Sequence, residues 1–112
     1  MIRAILAVAA ALWAAPVGAQ DTDGKGDADA VRRGEALLTK NCASCHAVGR
    51  TGASPHAEAP PFRTLSQNYP VEALEEALAE GLQSGHPDMP EFTFDPDQIG
   101  DLIAYLKSVQ QP

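Results

Sequence analysis

The chain has 112 residues with nine glycines, nine prolines and two cysteines, which leaves room for one small domain. Eight lysines and arginines face fifteen aspartates and glutamates, and the formal charge is −7. This acidic balance excludes a nucleic-acid binder, which needs cations to displace phosphate counterions, and it disfavours adhesion to anionic lipid. Because a domain of this size is only marginally stable alone, a disulfide, metal or cofactor is expected to support it.

Residues 1–19 have the layout of a secretory signal peptide. Arg3 supplies a positive start, residues 4–15 are apolar, and residues 16–19 include the small residues that a signal peptidase reads. We expect cleavage after Ala19, export to the periplasm and no stable membrane insertion afterwards. An uncleaved anchor is the lesser alternative, since the apolar run is short for a bilayer span. Loss of Arg3 leaves seven basic residues against fifteen acidic ones, a formal charge of −8.

The first elements of the mature chain are a tail and a helix. Residues 20–27 are small and acidic, which predicts a flexible tail before a folded domain at 28–112. The first helix is predicted from an N-cap at Asp27 or Asp29 to about Lys40. A glycine inside a helix costs about 1 kcal/mol relative to alanine, so Gly34 predicts close approach of another helix. The apolar stripe of this helix consists of Val31, Gly34, Leu38 and Cys42.

The middle of the chain is predicted to be mostly loop. Residues 48–61 hold two glycines and three prolines without periodicity, and residues 62–65 could form one helical turn. A second helix is expected to begin with Pro70 at its first position and to end at Gly81 or Gly85. Its apolar stripe consists of Val71, Leu74, Leu78 and Leu82.

The last helix has the clearest start signal. Asp95 is the predicted N-cap, Pro96 the first helical residue and Gln98 the partner in a capping box. Its apolar face consists of Ile99, Leu102, Ile103, Leu106 and Val109. In no segment do apolar and polar residues alternate with the period of two that is typical of a β-strand, so the sequence predicts an all-α fold of three to four helices. Loops this long are hard to stabilise in so small a domain unless they pack around something, which indicates an internal ligand.

The residues Cys42-Ala43-Ser44-Cys45-His46 match C-x-x-C-H, the sequence for covalent c-type haem attachment. Two thiols a turn apart can add to the two vinyl groups on one porphyrin edge, and the imidazole that follows can ligate the iron. A surface disulfide with an idle histidine is the rival interpretation. A thioredoxin-like pair would need a βαβ context, and a zinc site would need further ligands at metal spacing.

Met89 is the candidate for the sixth iron ligand. It is the one methionine left after processing, in a polar and proline-flanked loop, and a thioether suits haem iron and raises its potential. The alternative is a methionine that fills a gap in the core. His56 and His86 are rival ligands that would give a bis-histidine haem, although each is more often a solvated loop histidine.

These residues resemble the class I cytochromes c, small bacterial monohaem members above all, and the resemblance spans essentially the whole mature domain. Gly34 stands eight residues before Cys42, and residues 101–107 are similar to that family's last helix. The resemblance implies one covalent haem c enclosed by the fold. It also implies N- and C-terminal helices that cross nearly at right angles at Gly34, beside Tyr105 and Leu102.

The segment Ala59-Pro60-Pro61-Phe62 is similar to the family's Gly-Pro-x-Leu segment. The resemblance implies that the Pro60 carbonyl accepts the Nδ1 proton of the axial His46. Alanine and phenylalanine depart from the family pattern, and a proline pair that only stiffens a loop is the alternative.

The sequence leaves open which residue would hold the haem propionates, and it suggests which residues would line the haem slot. No tryptophan remains to hold a haem propionate, so Arg50, Arg63 or a tyrosine would have to do so. We expect His46 and Met89 to face each other across a flat apolar slot with both thiols at its rim. Apolar residues expected to line it are Leu38, Phe62, Leu65, Leu74, Leu78, Phe92, Ile99 and Leu106.

The expected function is single-electron transfer between redox proteins through a His46/Met89-ligated haem, with no catalytic residues and no enzyme activity. Glu72, Glu76 and Glu80 follow one another at helical spacing, which indicates either a solvated face or steering toward a basic-faced partner. A dedicated cytochrome subunit of a periplasmic dehydrogenase or oxidase is one alternative. A haem sensor or enzyme with an open coordination position is another. We expect a monomer or a small-subunit partner.

Overall fold

The computed structural model describes residues 9–14 and 22–111, with side chains described from Asp27 onward in the second range. Its regular elements are helix α1 (Thr22–Cys42), two short 3₁₀ helices (Phe62–Gln67 and Val71–Ala73), helix α2 (Leu74–Glu80) and helix α3 (Pro96–Val109). One isolated antiparallel bridge joins Leu82 to Phe92. Within the described residues all other regular structure is helical, which confirms the all-α fold class.

Helix α1 begins earlier than the sequence predicts. The predicted N-cap is Asp27 or Asp29, but the helix begins at Thr22, so most of the expected tail at 20–27 has a helical backbone. Extending a helix adds one hydrogen bond per residue fixed, and no proline stands in this segment to stop it. Whether these residues are flexible, and whether residues 1–19 are a signal peptide, stay predictions. Residues 1–8 and 15–21 lie outside the described residues.

Helices α1 and α3 meet at Gly34. A Cβ built there would overlap the carbonyl oxygen of Asp101 and lie 2.7 Å from its carbonyl carbon and 2.9 Å from Tyr105 Cβ. The close approach that the sequence predicts at this glycine is therefore confirmed. Arg33 fixes the same crossing from the side, since its Nε and Nη2 donate to the Asp101 carboxylate at 2.9 and 3.0 Å.

Helix α3 begins as its sequence predicts. The Asp95 side chain accepts from the Gln98 backbone N–H, the Gln98 side chain accepts from the Asp95 backbone N–H, and Pro96 follows the cap. The helix contributes half of the buried core, and Leu102 is 0% exposed. Its buried residues are Ile99, Leu102, Ile103, Tyr105, Leu106 and Val109.

The middle helix is shorter than its apolar stripe predicts. Pro70 precedes the 3₁₀ helix Val71–Ala73, and α2 ends at Gly81, whose φ of 110° is a conformation that L side chains rarely adopt. Leu82 was expected in the helical stripe but lies beyond it, where its N–H donates to the Phe92 carbonyl at 3.0 Å. This bond closes a loop of residues 83–91, which carries Met89 near its far end.

Candidate functional site

The turn after α1 places two thiols and an imidazole side by side. Cys42 is the last residue of α1, and the backbone N–H groups of Cys45 and His46 both donate to its carbonyl, at 3.2 and 2.9 Å. Both thiols are free, so they do not form the disulfide of the rival interpretation. Burial, and then the neighbouring Cys45, raises the pKa of the Cys42 thiol to about 11, which keeps it protonated at neutral pH.

His46 is held in one orientation by two contacts. Its Nδ1 lies 2.8 Å from the carbonyl oxygen of Pro60, so that nitrogen carries the proton and donates. Phe62 stacks on the imidazole with ring centroids 4.6 Å apart and planes inclined by 22°. The Phe62 N–H donates to the Ala47 carbonyl at 3.0 Å, which ties the stacking ring to the residue after the histidine. The free lone pair of His46 is therefore on Nε2.

Two adjoining cavities lie beside His46, each of about 310 Å³. We name them the inner and the outer cavity. The inner cavity is lined almost entirely by apolar side chains, from the three α-helices, the 3₁₀ helix Phe62–Gln67 and the loops, whereas further histidines and carboxylates join the lining of the outer one. The residues that line both cavities are Cys42, His46, Pro60, Ser84, Met89 and Phe92.

The lining of the inner cavity agrees with the sequence for all but one of the expected apolar residues. Ile99 is the exception, since it lies in the hydrophobic core away from the cavity wall. Sequence reasoning missed Tyr69, Leu82 and Phe94, which lie outside the α-helices, and it assigned Leu102 to helix packing alone. The expected lining residues that the structure places there are Leu38, Phe62, Leu65, Leu74, Leu78, Phe92 and Leu106.

The rival iron ligands lie in a different place from Met89. His56 and His86 line the outer cavity only, where each faces a carboxylate: Asp88 for His56 and Glu58 for His86. Met89 lines both cavities together with His46. The structure therefore brings Met89, Cys42, Cys45, His46 and Pro60 around one space and leaves the two other histidines at its polar side.

Arg50 and Tyr105, two candidates for holding a haem propionate, are engaged elsewhere. Arg50 Nη2 donates to the Ser108 carbonyl at 2.8 Å, and the Tyr105 hydroxyl donates to the Val48 carbonyl at 2.8 Å. Arg63 has a buried Nη1 without a hydrogen-bond partner among the described residues, and Tyr69 lines the inner cavity. Burial raises the pKa of the Tyr69 hydroxyl. Arg63 and Tyr69 are therefore the candidates that the structure leaves available.

Sequence comparison decides which family this arrangement belongs to. A family model described as cytochrome c matches residues 31–110. The chain belongs to the cytochrome c family. Cytochrome c-552 of Bradyrhizobium diazoefficiens is 34% identical over 77 residues, which are 69% of this chain and 72% of that protein. A cytochrome c-553-like protein of Synechocystis is 33% identical over 85 residues, 76% of this chain and 71% of that protein. No solved structure matches the chain.

Membership of the family establishes the cofactor and the general function of the protein. The cofactor is covalently bound haem c, and the protein is an electron carrier with redox protein partners. The site fits this group, since a flat ring needs an apolar space with two thiols and a free imidazole nitrogen on its walls. In the described part of the chain, no helix combines the length and the apolar character needed to cross a membrane.

Proposed function

We propose that the protein is a periplasmic monohaem cytochrome c whose iron is ligated by His46 and Met89, with thioether bonds from Cys42 and Cys45. The observation that carries this proposal is that His46 and Met89 line the same two cavities, while the Nδ1 of His46 is engaged by Pro60. That hydrogen bond leaves Nε2 as the nitrogen able to bind a metal. Cleavage after Ala19 would leave a mature chain that starts at Gln20.

The residues around the site would set the donor strength of His46 and the reduction potential of the bound haem. The Pro60 carbonyl accepts from His46 Nδ1–H, which fixes the imidazole tautomer and makes Nε2 a stronger donor. The Met89 thioether would be a soft ligand for the haem iron, a kind of ligand that raises the reduction potential. The apolar walls of the inner cavity would limit the access of water to the bound group. When bound, haem c supplies a one-electron ferric/ferrous couple, and no acid, base or nucleophile is needed.

Met89 is favoured over the two histidines by its surroundings. An imidazole that ligates iron needs an unprotonated nitrogen inside the apolar space. His56 and His86 are instead paired with carboxylates in the outer cavity, and neither lines the inner one. A buried thioether loses little on leaving water, whereas an imidazole would have to give up its polar partner. We therefore propose that both histidines stay outside the iron coordination sphere.

The optical spectrum of the purified holoprotein tests this assignment. Covalent attachment predicts colour that survives acid–acetone extraction, and a mass equal to residues 20–112 plus one haem. The ferric wild type is expected to show the weak red band of sulfur-to-iron charge transfer, and Met89→Ala to lose it. His86→Gln serves as the control and is expected to keep the band. A wild type without the band, whose ferrous form binds carbon monoxide readily, would show an open iron and overturn the assignment.

The charge of the mature chain also supports a proposal about partners. Glu72 forms an ion pair with Lys107 of α3, with Oε1 and Nζ 3.1 Å apart. Its charge is therefore partly neutralised, and it is not counted among the unpaired acidic groups of the surface. Glu75, Glu76 and Glu80 stay exposed on α2, and Glu91 is exposed on the loop that carries Met89. We propose that this acidic surface favours redox partners with a basic docking face.

A further inference from the structure

Two loops exchange histidine–carboxylate contacts at the outer cavity. One loop carries His56 and Glu58, and the other carries His86 and Asp88. The His86 Nε2 hydrogen-bonds to Glu58 Oε2, and the His56 Nε2 lies 3.4 Å from Asp88 Oδ2. The two imidazole rings meet edge to face with centroids 5.3 Å apart. We call these four residues the histidine clasp.

Both halves of the clasp are built in the same way. In each loop the histidine is followed two residues later by an acid whose backbone N–H donates to the histidine Nδ1. The distances are 3.2 Å from Glu58 N to His56 Nδ1 and 3.3 Å from Asp88 N to His86 Nδ1. A nitrogen that accepts has no proton, so each neutral ring carries its proton on Nε2. Each Nε2–H therefore points at the carboxylate of the opposite loop.

This proton arrangement decides between a clasp and a metal site. Ligand atoms of His56, Glu58 and His86 lie within 4.8 Å of one another, a set that zinc or copper could use. A metal on Nε2 would move the remaining proton of each ring to Nδ1. There it would face the backbone N–H of Glu58 or Asp88, donor against donor. The geometry therefore favours a hydrogen-bonded link between loops over a metal centre.

We infer that the histidine clasp positions Met89 for the iron. Asp88 immediately precedes Met89, and His86 stands three residues before it and accepts the Met89 N–H on its carbonyl at 3.2 Å. The other loop is anchored to the haem-attachment turn, since the His56 N–H donates to the Cys45 carbonyl at 3.0 Å. The same loop leads directly to Pro60, which orients His46. The clasp thus ties the segment that carries one axial ligand to the segment that orients the other.

The clasp acts on loop opening more than on the stability of the whole domain. Both histidine side chains are about one-third exposed, at 32% and 33%, and Glu58 and Asp88 at 69% and 68%. Exposed side-chain pairs of this kind contribute little to the free energy of global unfolding. The inference rests on the proposed function, because it takes Met89 as the sixth ligand. The four residues touch no iron and are positioning residues.

Displacement of Met89 by added imidazole in the ferric holoprotein tests the inference. The variants are Glu58→Ala and His86→Ala, and the control is Glu91→Ala. Glu91 is an exposed carboxylate of the Met89 loop whose partner, Gln83 at 3.3 Å, lies in that same loop. We expect the imidazole concentration at half-loss of the charge-transfer band to fall about two- to fivefold in both test variants. In Glu91→Ala it should equal the wild-type value.

Equal imidazole affinity in wild type, Glu58→Ala and His86→Ala would overturn the inference. A fall of the same size in Glu91→Ala would do so too, because the effect would then come from lost charge and not from the link between loops. If the wild type shows no charge-transfer band, the ligand assignment fails separately. The clasp is then judged by hydrogen exchange of residues 83–94, which must quicken in the two test variants and not in the control.

Discussion

Gly34 shows how one missing side chain sets the arrangement of two helices. In isolation a helix would be more stable with alanine at this position, because glycine costs about 1 kcal/mol more. The structure explains the choice, since the space that a methyl group would fill is taken by the backbone carbonyl of Asp101. Backbone atoms cannot rotate away as a long side chain can. The cost in helix propensity is therefore outweighed by the close contact of α1 with α3.

Replacing Gly34 by alanine is expected to lower the free energy of unfolding by about 1–3 kcal/mol, because the added Cβ forces the helices apart. Gly100→Ala is the matched control: it lies within α3, and a Cβ there would meet nothing within 4 Å. That variant is expected to raise the free energy of unfolding by about 0.5–1 kcal/mol. Urea unfolding of both holoproteins gives the comparison. Similar values for the two variants would contradict the close-approach interpretation.

The roles of single residues were predictable where local chemistry fixes them. The C-x-x-C-H motif and a glycine inside a predicted helix can both be recognised in the sequence. Each has few explanations other than haem attachment and the close approach of a second helix. Tyr69, Leu82 and Phe94 were missed as cavity residues, since they lie outside the α-helices and no periodicity reports where a loop passes. The pairing of His56 with Asp88 was equally hidden. It joins residues 32 apart through two loops whose paths only the folded chain defines.

Helix α3 is the element whose boundaries were clearest in the sequence. Its capping box and N-terminal proline are local signals, so they need no knowledge of the rest of the fold. The start of α1 and the end of α2 were ambiguous in the sequence. Several residues of cap type stand between Asp21 and Asp29, and Gly81 and Gly85 were equally plausible ends for α2. The structure selects Gly81, where the chain leaves the helix to pair Leu82 with Phe92.

Removing the cap of α3 is expected to weaken the whole domain. Asp95→Ala leaves the Gln98 N–H without its side-chain acceptor and should lower the free energy of unfolding by about 1 kcal/mol. Asp97→Ala removes an acid from the same first turn without removing the cap, so its effect should be smaller. Thermal unfolding of the two holoproteins, followed by circular dichroism, measures the difference. The cap would have no special role if both variants melted alike.

At the scale of the whole molecule, the excess of acidic groups should govern how fast charged reagents reach the haem. The formal charge of the full sequence is −7, and it would become −8 with the proposed removal of residues 1–19, which include Arg3. At about 0.01 M salt the Debye length is about 30 Å, so charges over most of the surface act together, whereas at about 0.1 M it falls to about 10 Å and distant charges are screened. This long-range field acts without any specific docking contact. It can therefore be measured with small charged reagents, without a protein partner.

Electron exchange with small complexes of opposite charge tests this field. The rate with a cationic ruthenium ammine is expected to fall as ionic strength rises from about 0.01 to 0.5 M, because salt screens the attraction. The rate with anionic ferrocyanide or ferricyanide should rise over the same range, because salt screens the repulsion. Stopped-flow measurements on one holoprotein preparation give both series. Flat rates for both reagents would remove the basis for a basic-faced partner.

The apolar inner cavity has a consequence for how the protein comes into being. Without haem, the apolar walls of this space of about 310 Å³ would face water, and apolar surface that stays in contact with water does not contribute to the stability of a fold. We therefore expect the chain to be less stable before haem attachment than after it. We expect haem attachment to complete the fold, and copies without haem to be cleaved faster by proteases.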